Sequence, residues 1–179
     1  MSKIIKYVER ILDIDKHPIK SQVEDDGGAL QWEVEPDMSA PEGSIARAGK
    51  PKFRDTTTYD LLKEITRGLA NVPSIHKPDD ERRIAGIRNA VDAAEELKDK
   101  AGGIPDVELG DKSYAWFHEV MKRPVAMSYR DTDVRKEAKE RGEEATIPYI
   151  WILFKNNASI VQVALSTDED KDKAGPLIN

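Results

Sequence analysis

The sequence predicts an α+β protein: a small three-helix module, a C-terminal β-hairpin that joins a sheet, and an extended N-terminal arm. Three observations carry that prediction. Apolar residues recur at helical spacing in three stretches between residues 57 and 123. The most apolar, β-branched and aromatic runs, Ile147 to Phe154 and Ser159 to Leu165, are joined by Lys155-Asn156-Asn157-Ala158, which suits a reversing turn. Residues 16–58 hold Asp25-Asp26-Gly27-Gly28, Pro36, Pro41, Gly43, Gly49 and Pro51, with little periodicity.

In chain order, residues 1–15 read as an amphipathic segment. Ile4, Ile5, Val8, Ile11 and Leu12 fall on one side of a helical wheel, opposite Lys3, Lys6, Glu9 and Arg10, with a strand as the alternative. Residues 16–58 read as an extended polar arm in which the alternation Leu30, Trp32, Val34 marks one edge strand. Residues 59–165 form the expected α+β core. A helix over about 57–71 takes its N-cap from Thr56–Thr58 and presents Tyr59, Leu62, Ile65 and Leu69 on one face. A second, over about 79–101, opens on Pro78-Asp79-Asp80-Glu81 and carries Ile84, Ile87, Val91, Ala94 and Leu97 before Gly102-Gly103. A third, over about 111–123, is capped by Asp111, buries Tyr114, Phe117, Val120 and Met121, and stops at Pro124. The hairpin spans about 147–165, and because Ile150, Ile152, Phe154 and Tyr149, Trp151, Leu153 make both faces apolar, its first strand should be covered on both sides. Residues 166–179 read as an acidic tail.

Composition narrows the function classes. With 39% apolar and 35% charged residues, part of the chain should lie outside any core. A net charge of -6 opposes recognition of nucleic acid through the overall field. The absence of cysteine removes disulfides, thiol nucleophiles and thiolate metal sites. No apolar run approaches the roughly 18 residues of a membrane span, and the N-terminus is not of signal-peptide type, so synthesis in the cytoplasm is expected.

Catalytic and metal-binding patterns are missing from the sequence. His17, His76 and His118 lie on different segments without ligand spacing, and Gly27-Gly28 and Gly102-Gly103 lack the lysine and the strand-to-helix setting of a phosphate loop. The pairs Asp25-Asp26, Asp79-Asp80 and Glu143-Glu144 sit in polar surroundings and read as solvated acids. Lys122, Arg123, Arg130, Arg135, Lys136, Lys139 and Arg141 form the one basic cluster, but nearby acids bring it close to neutrality, so it reads as a salt-bridged face. No cofactor, metal, catalytic residue or nucleic-acid partner is expected. The large aromatic residues Trp32, Tyr149, Trp151 and Phe154 are the candidates for contact area, internal or across an interface, whereas Trp116 reads as core.

Four segments resemble small proteins encoded among the morphogenesis genes of tailed bacteriophages. They are His17-Pro18-Ile19-Lys20, Thr57 through Leu61-Leu62, the acid-then-helix stretch Asp79 to Leu97, and Val107-Glu108-Leu109 leading into a helix ended by Pro124. The resemblance implies a non-enzymatic structural or assembly protein of a viral particle, made in the host cytoplasm and carried in the virion. It would act through contacts with other protein subunits, itself included, and these would order residues 16–58 and 167–179. The alternative is a monomeric acidic regulatory protein that binds and inhibits a host enzyme or nucleic-acid-binding protein.

Overall fold

The computed structural model describes residues 2–25, 29–101, 103–126, 136, 139–142 and 145–174. It is a mixed helical and β chain whose strands form small two-stranded sheets. Residues up to Val8 together with those from Thr58 onward make one compact unit, and Glu9–Thr57 make a second.

In the first unit, β1 (Ser2–Ile5) pairs antiparallel with β6 (Val107–Gly110), Ile5 standing opposite Val107. The N-terminal segment is thus a strand and not the expected amphipathic helix. Ile5 is buried while Ile4 is half exposed, the alternation that a strand with one covered face requires. The helices α2 (Thr58–Ala70), α3 (Asp80–Ala101) and α4 (Asp111–Met121) lie where the periodicity puts them. Their inward residues, among them Leu62, Ile65, Ile87, Val91, Phe117 and Met121, form the core, each contributing about 1.5–3 kcal/mol.

The helix starts differ in detail, α4 departing from the expected capping. Thr58 turns its hydroxyl to the strand side, accepting from Val8 N (2.9 Å) and donating to Lys6 O (3.2 Å). Gly110 occupies the N-cap position of α4, and Asp111 stands in the first turn, where a carboxylate favours the helix dipole.

The expected hairpin over 147–165 is overturned. Strand β8 (Thr146–Pro148) pairs with β7 (Pro124–Ala126), and beyond Pro148 the chain is helical: α5 (Tyr149–Phe154), a 3₁₀ turn (Lys155–Asn157) and α6 (Ala158–Ala164). Besides Tyr149, the buried positions are Ile150, Phe154, Ala158, Val161 and Leu165. Their spacing of three and four residues is helical, and packing on α2 and α4 overrides the strand propensity of the β-branched side chains. Gly68 on α2 permits this packing, since a Cβ there would collide with the Tyr149 hydroxyl and come within 3.1 Å of Leu153. Within the expected tail, α7 (Asp168–Ala174) is tied back by Tyr114 Oη donating to Asp170 Oδ2 (2.6 Å) and accepting from Thr167 N (3.0 Å).

In place of an extended arm, the second unit is a set of short β-ribbons. The ladder of β2 (Lys20–Gln22) with β5 (Phe53–Asp55) lies between two three-way junctions. At one, Ile11 N donates to Thr56 O (3.1 Å), Thr56 N to Ile19 O (2.8 Å) and Ile19 N to Ile11 O (2.9 Å). At the other, Val23 N donates to Lys52 O (2.9 Å), Lys52 N to Gln31 O (2.9 Å) and Gln31 N to Val23 O (2.8 Å). Each segment donates to one neighbour and accepts from the other, so the backbone is satisfied by a ring of hydrogen bonds that needs no apolar filling. Strand β3 (Trp32–Val34), at the expected edge strand, pairs with β4 (Lys50–Pro51). Between them α1 (Ile45–Ala48) is capped by Ser44 and ends at Gly49, whose φ of 70° and closeness to Pro36 exclude a side chain.

Candidate functional site

The four interface candidates separate on folding. Tyr149 lies fully inside, its hydroxyl donating to Ile65 O (2.9 Å), and burial pushes its pKa up. Phe154 is buried as well, so both contribute their area internally. Trp151 is 46% exposed beside the exposed Ile152, and Trp32 is half-buried on β3. Trp116, read as core, is half-buried and engaged through its indole N–H.

The sequence reading missed the apolar surface of the second unit. Leu12, Ile14, Leu30, Val34, Met38, Ile45 and Phe53 are all exposed, and Ile14 (76%), Met38 (70%) and Ile45 (80%) are almost wholly in solvent. Among its described large apolar residues only Ile11 is buried. The signal lay in Met38, Ile45 and Phe53 themselves, scattered among prolines and acids in the expected polar arm.

A different chemistry gathers around Arg123. Its Nε donates to Glu119 Oε1 (3.1 Å), Nη1 to Ile75 O (3.0 Å) and to Asp80 Oδ2, and Nη2 to Asp80 Oδ1 and Glu119 Oε2 (both 3.0 Å). All five N–H groups of the guanidinium are therefore used. Asp80 also accepts from Lys77 N and Trp116 Nε1, both at 2.8 Å. Burial alone would raise the Asp80 pKa, but the bonds from Arg123, Lys77 N and Trp116 outweigh it and hold the carboxyl at about 2. The hydrogen bond from Arg123 likewise lowers Glu119. The expectation that Asp79-Asp80 are solvated acids thus fails at Asp80, which is 1% exposed. The sequence did not show it because its partner stands 43 positions away.

Beside this cluster runs a groove of about 750 Å³ between α4 and the loop Ser74–Lys77. His118 lines it, its Nε2–H donating to Leu165 O (3.1 Å) and its ring 4.4 Å from that of Tyr114. Burial lowers the His118 pKa, partly offset by the Leu165 carbonyl and the charge of Asp170. Of the expected basic cluster, Arg123 is consumed internally, and Arg130 and Arg135 lie outside the described residues.

Asp13, Asp15 and His17, on the turn between Leu12 and Pro18, bring ligand atoms within 4.8 Å of one another, a juxtaposition that can hold a divalent cation. One Asp13 oxygen is already committed to Asp15 N (2.9 Å) and His17 N (2.8 Å). Among the described residues no helix is long and apolar enough to cross a membrane. Comparison with models of known families, with curated proteins and with solved structures finds no match.

Proposed function

We propose that the chain is a non-enzymatic structural or assembly protein of a viral (tailed phage) particle, acting through protein–protein contacts, with Glu9–Thr57 as its docking element. The observation that carries this reading is the outward set of Leu12, Ile14, Leu30, Val34, Met38, Ile45 and Phe53 on a unit whose backbone is already hydrogen-bonded. Apolar side chains that build no core gain their burial against another protein, and a stable contact covers about 800 Å² per partner. Trp151 and Ile152 add an exposed pair on the helical unit. The viral setting rests on the similarity of His17–Lys20, Thr57–Leu62, Asp79–Leu97 and Val107–Pro124 to phage morphogenesis proteins.

The test is the native mass of the full chain against concentration, for wild type and for the variant Ile14→Ser/Ile45→Ser/Phe53→Ser. A defined oligomer that the variant dissolves while keeping its circular dichroism supports the reading. A wild-type monomer at every concentration, with amides of Glu9–Thr57 exchanging as slowly as those of α2, overturns it in favour of the monomeric regulator.

A further inference from the structure

The groove beside α4 has the size, rigidity and charge of a small-molecule site. One wall is the α4 stripe Ala115, His118 and Glu119 with Lys122 at the C-cap, whose spacing places them on a single helix face. The other wall is the loop that includes Ile75 and Lys77, and Pro124 also lines the groove. A volume of about 750 Å³ is in the range of ligand pockets.

Both walls are fixed by the same group. The Arg123 guanidinium holds Ile75 O of the loop, Asp80 of α3 and Glu119 of α4 at once. The groove is therefore preformed, and little ordering cost opposes binding. Because all five of its N–H groups are taken, Arg123 shapes the groove and leaves the ligand to other cations.

The charges point to the ligand. In a chain of net charge -6 the groove is lined by Lys77, Lys122 and Arg123 against one carboxylate, Glu119. Glu119 is committed to Arg123 at 3.0 Å and stands 3.7 Å from Lys77. Lys122, by contrast, forms no ion pair among the described residues and is exposed where it lines the groove. The His118 nitrogen that does not bond Leu165 is left to accept a hydroxyl or amide proton from a ligand. Ile75, Ala115 and Pro124 supply apolar surface beside these polar groups.

We propose that this groove binds a small organic anion, a carboxylate or phosphate monoester on an apolar body, with Lys122 and Lys77 taking the charge and Ile75, Ala115 and Pro124 the apolar part. The site is independent of the assembly reading, because none of its residues belongs to Glu9–Thr57.

The experiment is an amide NMR titration of the ¹⁵N-labelled full chain with phenyl phosphate, with benzoate and with uncharged benzyl alcohol. Fragments of this size are expected to bind with roughly millimolar affinity. Saturable shifts should be confined to 74–77 and 115–124, with benzyl alcohol about tenfold weaker, since a charge-assisted hydrogen bond is missing. Whichever of phosphate and carboxylate binds tighter names the anion class. Lys122→Glu should weaken the anions about tenfold and Ala115→Trp should fill the groove and abolish the shifts, both being exposed positions whose unchanged spectra elsewhere report an intact fold. Absence of saturation by either anion, equal affinity for benzyl alcohol, or indifference to both substitutions overturns the proposal.

Discussion

In the helical unit, large apolar side chains such as Leu61, Leu62, Ile87 and Phe117 are withdrawn from solvent, and the buried polar residues Thr58, Thr66, Asp80, Arg123 and Thr167 are hydrogen-bonded. In Glu9–Thr57 the arrangement is reversed: the backbone is closed into two hydrogen-bonded rings while Ile14, Met38 and Ile45 face solvent. One chain thus uses two sources of order. The first is area removed from water, which is cooperative and sensitive to volume. The second is local hydrogen bonding assisted by ion pairs such as Arg10 with Asp55 at 2.6 Å, which contributes only about 1 kcal/mol per bond and leaves apolar surface over.

The comparison can be broken most directly at the core. Phe117→Ala should cost about 3–5 kcal/mol in urea unfolding followed by near-ultraviolet dichroism; a loss no larger than that of an exposed residue would remove the distinction between the units. Arg123→Met should cost about 3–5 kcal/mol, because Asp80 and Glu119 lose their countercharge while Asp80 stays buried. Adding Asp80→Asn should return much of that loss, and a double variant as unstable as the sum would show that the pair is not coupled. Gly68→Ala should destabilise by about 1–3 kcal/mol through collision with Tyr149, whereas Gly86→Ala, with open space at that position, should stabilise by about 0.5–1 kcal/mol. Equal effects at the two glycines would contradict the close approach of α5 to α2.

Acid should act on the helical unit in two windows. The His118 value is depressed below 6.5, chiefly by burial, so the unfolded chain takes up its proton first as pH falls. The stability linked to His118 is full above 6.5 and declines below it, with a slope of at most about 1.4 kcal/mol per pH unit. Lys122, Asp170, Tyr114 and the Leu165 carbonyl surround the ring, and His118→Gln should flatten the urea midpoint between pH 7 and pH 5. Asp80, at about 2 against 3.8 unfolded, contributes stability that is present above 3.8 and lost as pH falls through about 2. The smallest effect belongs to the second unit: Ile14→Ser with Ile45→Ser should leave stability within about 0.5 kcal/mol while changing the native mass.

The three helices between residues 58 and 121 were legible because each buries one continuous stripe, and an uninterrupted stripe at helical spacing has no other economical reading. The alternation Leu30, Trp32, Val34 likewise marked β3. Tyr149–Leu165 was misread because β-branched composition was weighed above the spacing Ile150, Phe154, Ala158, Val161, Leu165, which is helical. Of the four aromatic candidates, Trp151 is exposed, whereas Tyr149 is buried where α5 packs on α2.

By itself, therefore, the sequence determined the α+β class, the positions of α2, α3 and α4, and the absence of cysteine chemistry, since these depend on residue type and on spacings within a few turns. Tertiary structure alone decided the β pairing of the N-terminus, the ribbons of Glu9–Thr57, the buried Arg123 and Asp80 cluster, and the groove beside α4. Each of these joins groups far apart in the chain, such as Ile11 with Thr56 and Asp80 with Arg123. Whether such groups meet depends on which faces the rest of the chain leaves open, which no local pattern records.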